Sequence, residues 1–150
     1  MRKVLQVGLL GFAAVELVLG LWTLALPESF YGDVPTVDLT PPFSEHLMRD
    51  FGGATLGLAL VLAAAGIWLE RRLVVVALLA YLAFSVPHLV FHVGHLDGAS
   101  DVEATVLVVL LAASVVVPAG LLAVALRLPQ SGTGADAAGP LVSPRPPARR

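Results

Sequence analysis

Four long apolar runs separated by short polar segments organise most of the chain. They cover about 4–26, 51–69, 73–96 and 104–126. A helix of about 20 mostly apolar residues crosses the hydrocarbon of a bilayer, and each run is close to or beyond that length. The first run is interrupted only by Glu16. The third contains no Asp, Glu, Lys or Arg, but it holds His88, His92 and His95. Ser44 precedes the second run as an N-cap, with Phe43 and Met48 at the spacing of a hydrophobic staple. The second helix is therefore expected to start near 45, carrying Glu45, His46, Arg49 and Asp50 on its first turns. The pattern predicts an all-α membrane fold: a four-transmembrane-helix antiparallel bundle over 1–127, with helices at about 4–26, 45–69, 73–96 and 104–126.

The connections fit such a bundle. Glu70, Arg71 and Arg72 form a very tight turn, which makes the second and third helices antiparallel neighbours. The 97–103 connection is also short. The 27–43 connection is the long one, and Pro27, Pro35, Pro41 and Pro42 predict that it is irregular. The first run is too long for a cleaved signal peptide and three spans follow it, so it is expected to be retained. Residues 128–150 are rich in Pro, Gly, Ala and Ser without apolar periodicity, and are expected to form a disordered cytoplasmic tail.

Charge orients the spans. Of the 9 Lys and Arg residues, Arg49 alone falls on one side of a four-span arrangement. Arg2, Lys3, Arg71, Arg72, Arg127, Arg145, Arg149 and Arg150 fall on the other. The positive-inside rule then places both termini in the cytoplasm of a multi-pass cell-membrane protein. The net charge of −2 gives no reason to expect nucleic acid. The absence of Cys removes disulfides, thiol catalysis, iron–sulfur clusters and thiolate metal sites.

Candidate chemistry lies on the first, second and third helices. Tyr81, Ser85, His88, His92 and His95 follow one another at steps of four and three, which puts all five on one helix face. A polar stripe of this kind faces protein or water rather than lipid. Pro87 removes a backbone hydrogen bond and frees the Ala83 carbonyl. Glu16, near the middle of the first span, is costly there unless paired or protonated. It is expected to face the same internal cavity as His88, in the outer half of the bilayer. Its alternative is a carboxyl bonded across helices as packing glue.

His88 and His92 are four residues apart and are weak metal-ligand candidates, with His95 as a third. Their other readings are a proton-linked or ligand-binding role, or plain interhelical and interfacial hydrogen bonding. Arg49 has an anion-binding reading and a structural one, in which it pairs with Glu45, Asp97 or Asp101. Asp50 stands beside it at the outer rim. Gly53 and Gly57 form a GxxxG step, which allows close helix approach.

Pro27-Glu28-Ser29-Phe30-Tyr31 ends the first helix, and Arg49-Asp50-Phe51-Gly52-Gly53 opens the second. A tight basic turn and two further helices follow. Over about residues 1–126 this arrangement resembles the small DoxX-like four-helix membrane proteins and their neighbouring families. The resemblance implies a four-helix bundle, some of whose relatives act beside redox enzymes at the quinone level. It carries over no catalytic residue.

Three functional classes follow. The first is a non-catalytic subunit of a membrane assembly or a small-ligand binder, its partners the bilayer, another membrane protein or a lipophilic small molecule. The second is a membrane enzyme acting on a lipid, sterol-like or quinone substrate through Glu16 and His88. The third is a His-ligated metal or haem protein. The first is the preferred expectation, with no cofactor named.

Overall fold

The computed structural model describes residues 1–39 and 42–127, and among these it contains five α-helices and no strand. The helices are α1 (Arg2–Ala25), α2 (Pro27–Asp33), α3 (Glu45–Trp68), α4 (Arg71–Val93) and α5 (Asp101–Leu126), with a 3-10 turn at Val37–Leu39. Four of them, α1, α3, α4 and α5, are long and apolar enough to cross a membrane. The segment 128–150, expected as a disordered tail, lies outside the described residues.

Helix ends follow local chemistry. The Ser44 hydroxyl accepts a hydrogen bond from the Leu47 N–H and caps α3. Ser100 and Glu103 form a reciprocal capping box at the start of α5, so this helix begins three residues before the expected span. α3 ends where Leu69 turns left-handed at φ 51°, and α4 begins two residues later. That leaves only Leu69 and Glu70 as the connection between them. Arg71, the first residue of α4, donates to the Leu126 carbonyl at the end of α5 at 3.2 Å. Carbonyls of a last helical turn lack intrahelical donors, so this contact completes one.

The connection after α1 departs from expectation. Prolines there predict irregular chain, yet Pro27 opens the seven-residue α2. Proline at a first helical turn forfeits no intrahelical bond and already has a helical φ, so it initiates as readily as it terminates. Side chains then fold α2 back on α1. The Trp22 indole donates to Ser29 at 3.1 Å, and Ser29 donates to Asp33 at 2.7 Å. Phe30 sets its ring edge-on to Trp22. Phe43, expected as half of a staple with Met48, has Tyr31 as its ring partner.

α1 packs along α3, and α4 along α5. α3 meets α4, and α1 meets α5, over fewer residues, while the α1 and α4 backbones do not approach each other. The core lies where the four surround it and includes Leu5, Leu9, Leu62, Val74, Leu78 and Tyr81. Only Pro118, Leu121 and Ala125 of α5 are buried.

The tightest seam is between α1 and α3. A Cβ built on Gly52 would stand 2.7 Å from the Leu24 nitrogen and 2.9 Å from the Gly20 carbonyl oxygen. A Cβ on Gly66 would meet the Leu10 side chain at 2.9 Å. Lipid offers apolar side chains as good a surrounding as protein does, so association in a bilayer relies on this kind of close van der Waals approach. The glycines expected to supply it do not: Gly53 and Gly57 are exposed, and a Cβ on either meets nothing within 4 Å.

Candidate functional site

The predicted site residues separate into three groups. The first is a buried polar cluster across three helices. Glu16 of α1 is 4% exposed and Tyr81 of α4 is 3% exposed. The Tyr81 phenol approaches the Glu16 carboxyl, and it also approaches the Ser114 hydroxyl of α5. Ser114 in turn donates to the Leu111 carbonyl at 2.7 Å. Phe12, one turn before Glu16, packs its ring on Tyr81 with centroids 5.0 Å apart. The phenol thus spans two helices whose backbones stay apart. Ser85 lies one turn further along the same buried face of α4. A carboxyl in such surroundings is costly unless paired, and the phenol supplies that pairing.

The second group is an aromatic ladder along α4. Phe51 of α3 meets Phe84 at 5.9 Å between centroids, and Phe84 stacks on His88 at 5.2 Å. His88 meets His92 edge-on at 4.6 Å. His88 and His92 are half-buried. Glu16 and His88, expected to share one cavity, therefore have different neighbours: Glu16 turns to Tyr81 and Ser114, whereas His88 turns to Phe84 and His92.

The stripe also ends earlier than its spacing implied. α4 stops at Val93, and His95 lies beyond Gly94, exposed. There its Nδ1 contacts the Phe91 carbonyl at 2.7 Å and its ring stacks on Phe91 at 4.1 Å. Among the described residues, no three His, Asp or Glu side chains are grouped to hold a metal ion.

The third group gathers at the start of α3. Arg49 pairs with Glu45 at 2.8 Å and donates to the Leu24 carbonyl in the last turn of α1. Of the pairings expected for it, Glu45 is the one formed. Arg49 thereby joins α3 to the end of α1, one turn from the Gly52–Leu24 approach. Asp50 lies 3.3 Å from His46 and both are well exposed. These residues hold a seam and a helix end.

Sequence reasoning missed a groove between α3 and α4. It has a volume of about 370 Å³ and is lined by Phe51, Ala54, Thr55, Gly57, Leu58, Val61, Ala80 and Phe84. Thr55 is its one side chain with a polar atom. His88, stacked on Phe84, stands beside it. The available signal was Phe84, four residues before His88 on the same helix face. An aromatic residue in an apolar span carries no mark that separates groove from core or lipid contact.

Comparison with models of known protein families, with curated proteins and with solved structures returned no match.

Proposed function

We propose that this chain is a multi-pass cell-membrane protein that takes up a lipophilic small molecule from the bilayer into the α3–α4 groove and catalyses no reaction of its own. The observation that carries this reading is the groove. Its volume of about 370 Å³ falls within the range of small-molecule sites, and such sites are mostly apolar with few polar groups. Two phenylalanine rings, Phe51 and Phe84, offer flat apolar surfaces, and Thr55 offers one hydroxyl. Glu16 is engaged by Tyr81 away from His88, so acid–base chemistry between Glu16 and His88 gains no support.

The bundle is antiparallel with both termini cytoplasmic. Opposed numbering in the α1–α3 contacts supports the first point: Gly20 meets Gly52, and Leu10 meets Gly66. The eight-to-one split of Lys and Arg supports the second. The work done by Arg49 and Gly52 supports keeping the DoxX-like resemblance as the family reading. The small buried share of α5 supports a second role, as a subunit whose α5 face meets another membrane protein.

The groove is tested by purifying the protein in mild detergent and identifying retained lipophilic molecules by native mass spectrometry. Gly57 lines the groove and has open space at its Cβ, so Gly57→Leu fills the groove without a clash. Gly53→Leu, also unobstructed but outside the lining, is the control. Loss of the retained molecule in Gly57→Leu alone is expected. Equal retention by both variants, or nothing retained by the unaltered protein, overturns the reading.

A further inference from the structure

The end of α3 opposite Arg49 adjoins a charge that no side chain neutralises. Arg71 opens α4 and is half-buried, with its guanidinium laid against the end of α5. One Nη donates to the Leu126 carbonyl, while the Nε is shielded from solvent and bonds to nothing. A guanidinium carries five N–H donors and a full positive charge, so one neutral carbonyl satisfies one donor and leaves the charge. Drawing such a group out of water costs free energy unless an anion accompanies it. Among the described residues the ion pairs are His46 with Asp50 and Arg49 with Glu45, both at the start of α3. Glu70, beside Arg71 in the chain, is exposed and is in neither pair. A positive-inside bias explains an arginine at this end, but not one drawn halfway out of water.

More positive charge gathers at the same place. Arg72 follows Arg71, and Arg127 follows the residue whose carbonyl Arg71 holds. Both are exposed, and neither side chain has an ion-pair partner among the described residues. Apolar side chains flank them: Ile67 and Trp68 at the end of α3 are 62% and 68% exposed, and Leu126 is 52% exposed. All stand at the ends of helices long and apolar enough to cross a membrane. Cations grouped beside bare apolar side chains match a molecule with an anionic head and hydrocarbon tails.

We propose that Arg71, with Arg72 and Arg127, forms a site for the phosphate of an anionic phospholipid, where α4 begins and α5 ends. The phosphate accepts hydrogen bonds from the guanidinium N–H groups that the Leu126 carbonyl leaves free. Arg72 and Arg127 add charge, and the acyl chains lie on Ile67, Trp68 and Leu126. A zwitterionic head would bring its own cation to a place with three arginines and one acid, Glu70. Free phosphate has the same head chemistry but no tails, and the exposed apolar rim favours the lipid. The site shares no residue with the α3–α4 groove.

The experiment uses Trp68 as the reporter, in the full chain carrying Trp22→Phe so that Trp68 is the one tryptophan left. The protein is placed in dioleoylphosphatidylcholine vesicles with a rising share of phosphatidylglycerol brominated on its acyl chains. Quenching of Trp68 is compared with that by brominated phosphatidylcholine. Phosphatidylglycerol should be preferred beside Trp68 by about tenfold, the affinity equivalent of one charge-assisted hydrogen bond. Arg71→Gln, whose amide can still donate to the Leu126 carbonyl, should lose most of that preference. Arg127→Gln, which breaks no ion pair within the protein, should lower it too. Lys3→Gln, an equal loss of charge at the start of α1, should keep it. Sodium phosphate at constant ionic strength should leave the quenching unchanged. Equal quenching by the two lipids, a preference that survives either arginine replacement, an equal loss in Lys3→Gln, or displacement by free phosphate overturns the proposal.

Discussion

Placing one methyl group at Gly52 tests the account of how α1 and α3 are held. The new Cβ would stand 2.7 Å from the Leu24 nitrogen, 2.9 Å from the Gly20 carbonyl oxygen and 3.0 Å from the Leu24 Cα. All three are backbone atoms, so no side chain can swing aside. Ordinary contact begins at 3.4 Å, so the helices must part by about 0.7 Å at this point. Overpacking of this kind costs about 1–3 kcal/mol. Alanine also returns about 1 kcal/mol of helix propensity. Gly53→Ala gains the same propensity and meets nothing within 4 Å. The difference between the two variants therefore isolates the clash, at about 1–3 kcal/mol. Thermal unfolding in detergent, followed by Trp22 fluorescence with every variant carrying Trp68→Phe, reads it near the seam: Trp22 lies in the last turn of α1, bonded to Ser29. Gly52→Ala should melt several degrees below Gly53→Ala, and Gly53→Ala at or above the unaltered protein. Equal melting of the two, or the lower value in Gly53→Ala, would refute the Gly20–Gly52 approach as the determinant.

A double-mutant cycle should place the coupling of Glu16 with Tyr81. Glu16→Gln and Tyr81→Phe should interact by about 0.5–2 kcal/mol, more strongly than Glu16→Gln and His88→Ala, and the reverse order would contradict the assigned partner. Reporter fusions after Arg72 and after Arg127 should both report a cytoplasmic location while one near Asp38 should not; an external signal at Arg127 would rule out the four-span arrangement.

Much of the fold was legible because one force wrote it. The need to bury backbone polar groups in hydrocarbon makes long apolar runs into helices, and the expected spans differ from α1, α3, α4 and α5 by only a few residues at most ends. Boundaries failed where local chemistry overrode hydropathy: Pro27 starts a helix, and Gly94 ends α4 before His95 although the spacing of the stripe continues. The site was less legible. Helical spacing shows which residues share a face, but not what that face meets. Glu16 pairs with Tyr81 because a long phenol reaches between helices whose backbones are apart, a fact of side-chain reach rather than spacing. The glycine pair failed for the same reason. Gly53 and Gly57 have the right interval, but Gly52 is on the face toward α1.

The unequal seams have a consequence for how the protein is made. α1 and α3 emerge before α4 and α5 during synthesis, and they clasp through Gly20 and Gly52 with Arg49 latched on the end of α1. α4 and α5 emerge later and pack along each other, tied by Arg71 to the Leu126 carbonyl. The groove therefore lies on the join between an earlier-made and a later-made half, tethered by the two residues Leu69 and Glu70. A molecule wedging into that join would part the halves like a book opening from its spine. It would break neither the glycine clasp nor the arginine tie, and the contacts it would strain are those that cross the join, Phe12 and Glu16 of α1 against Tyr81 of α4.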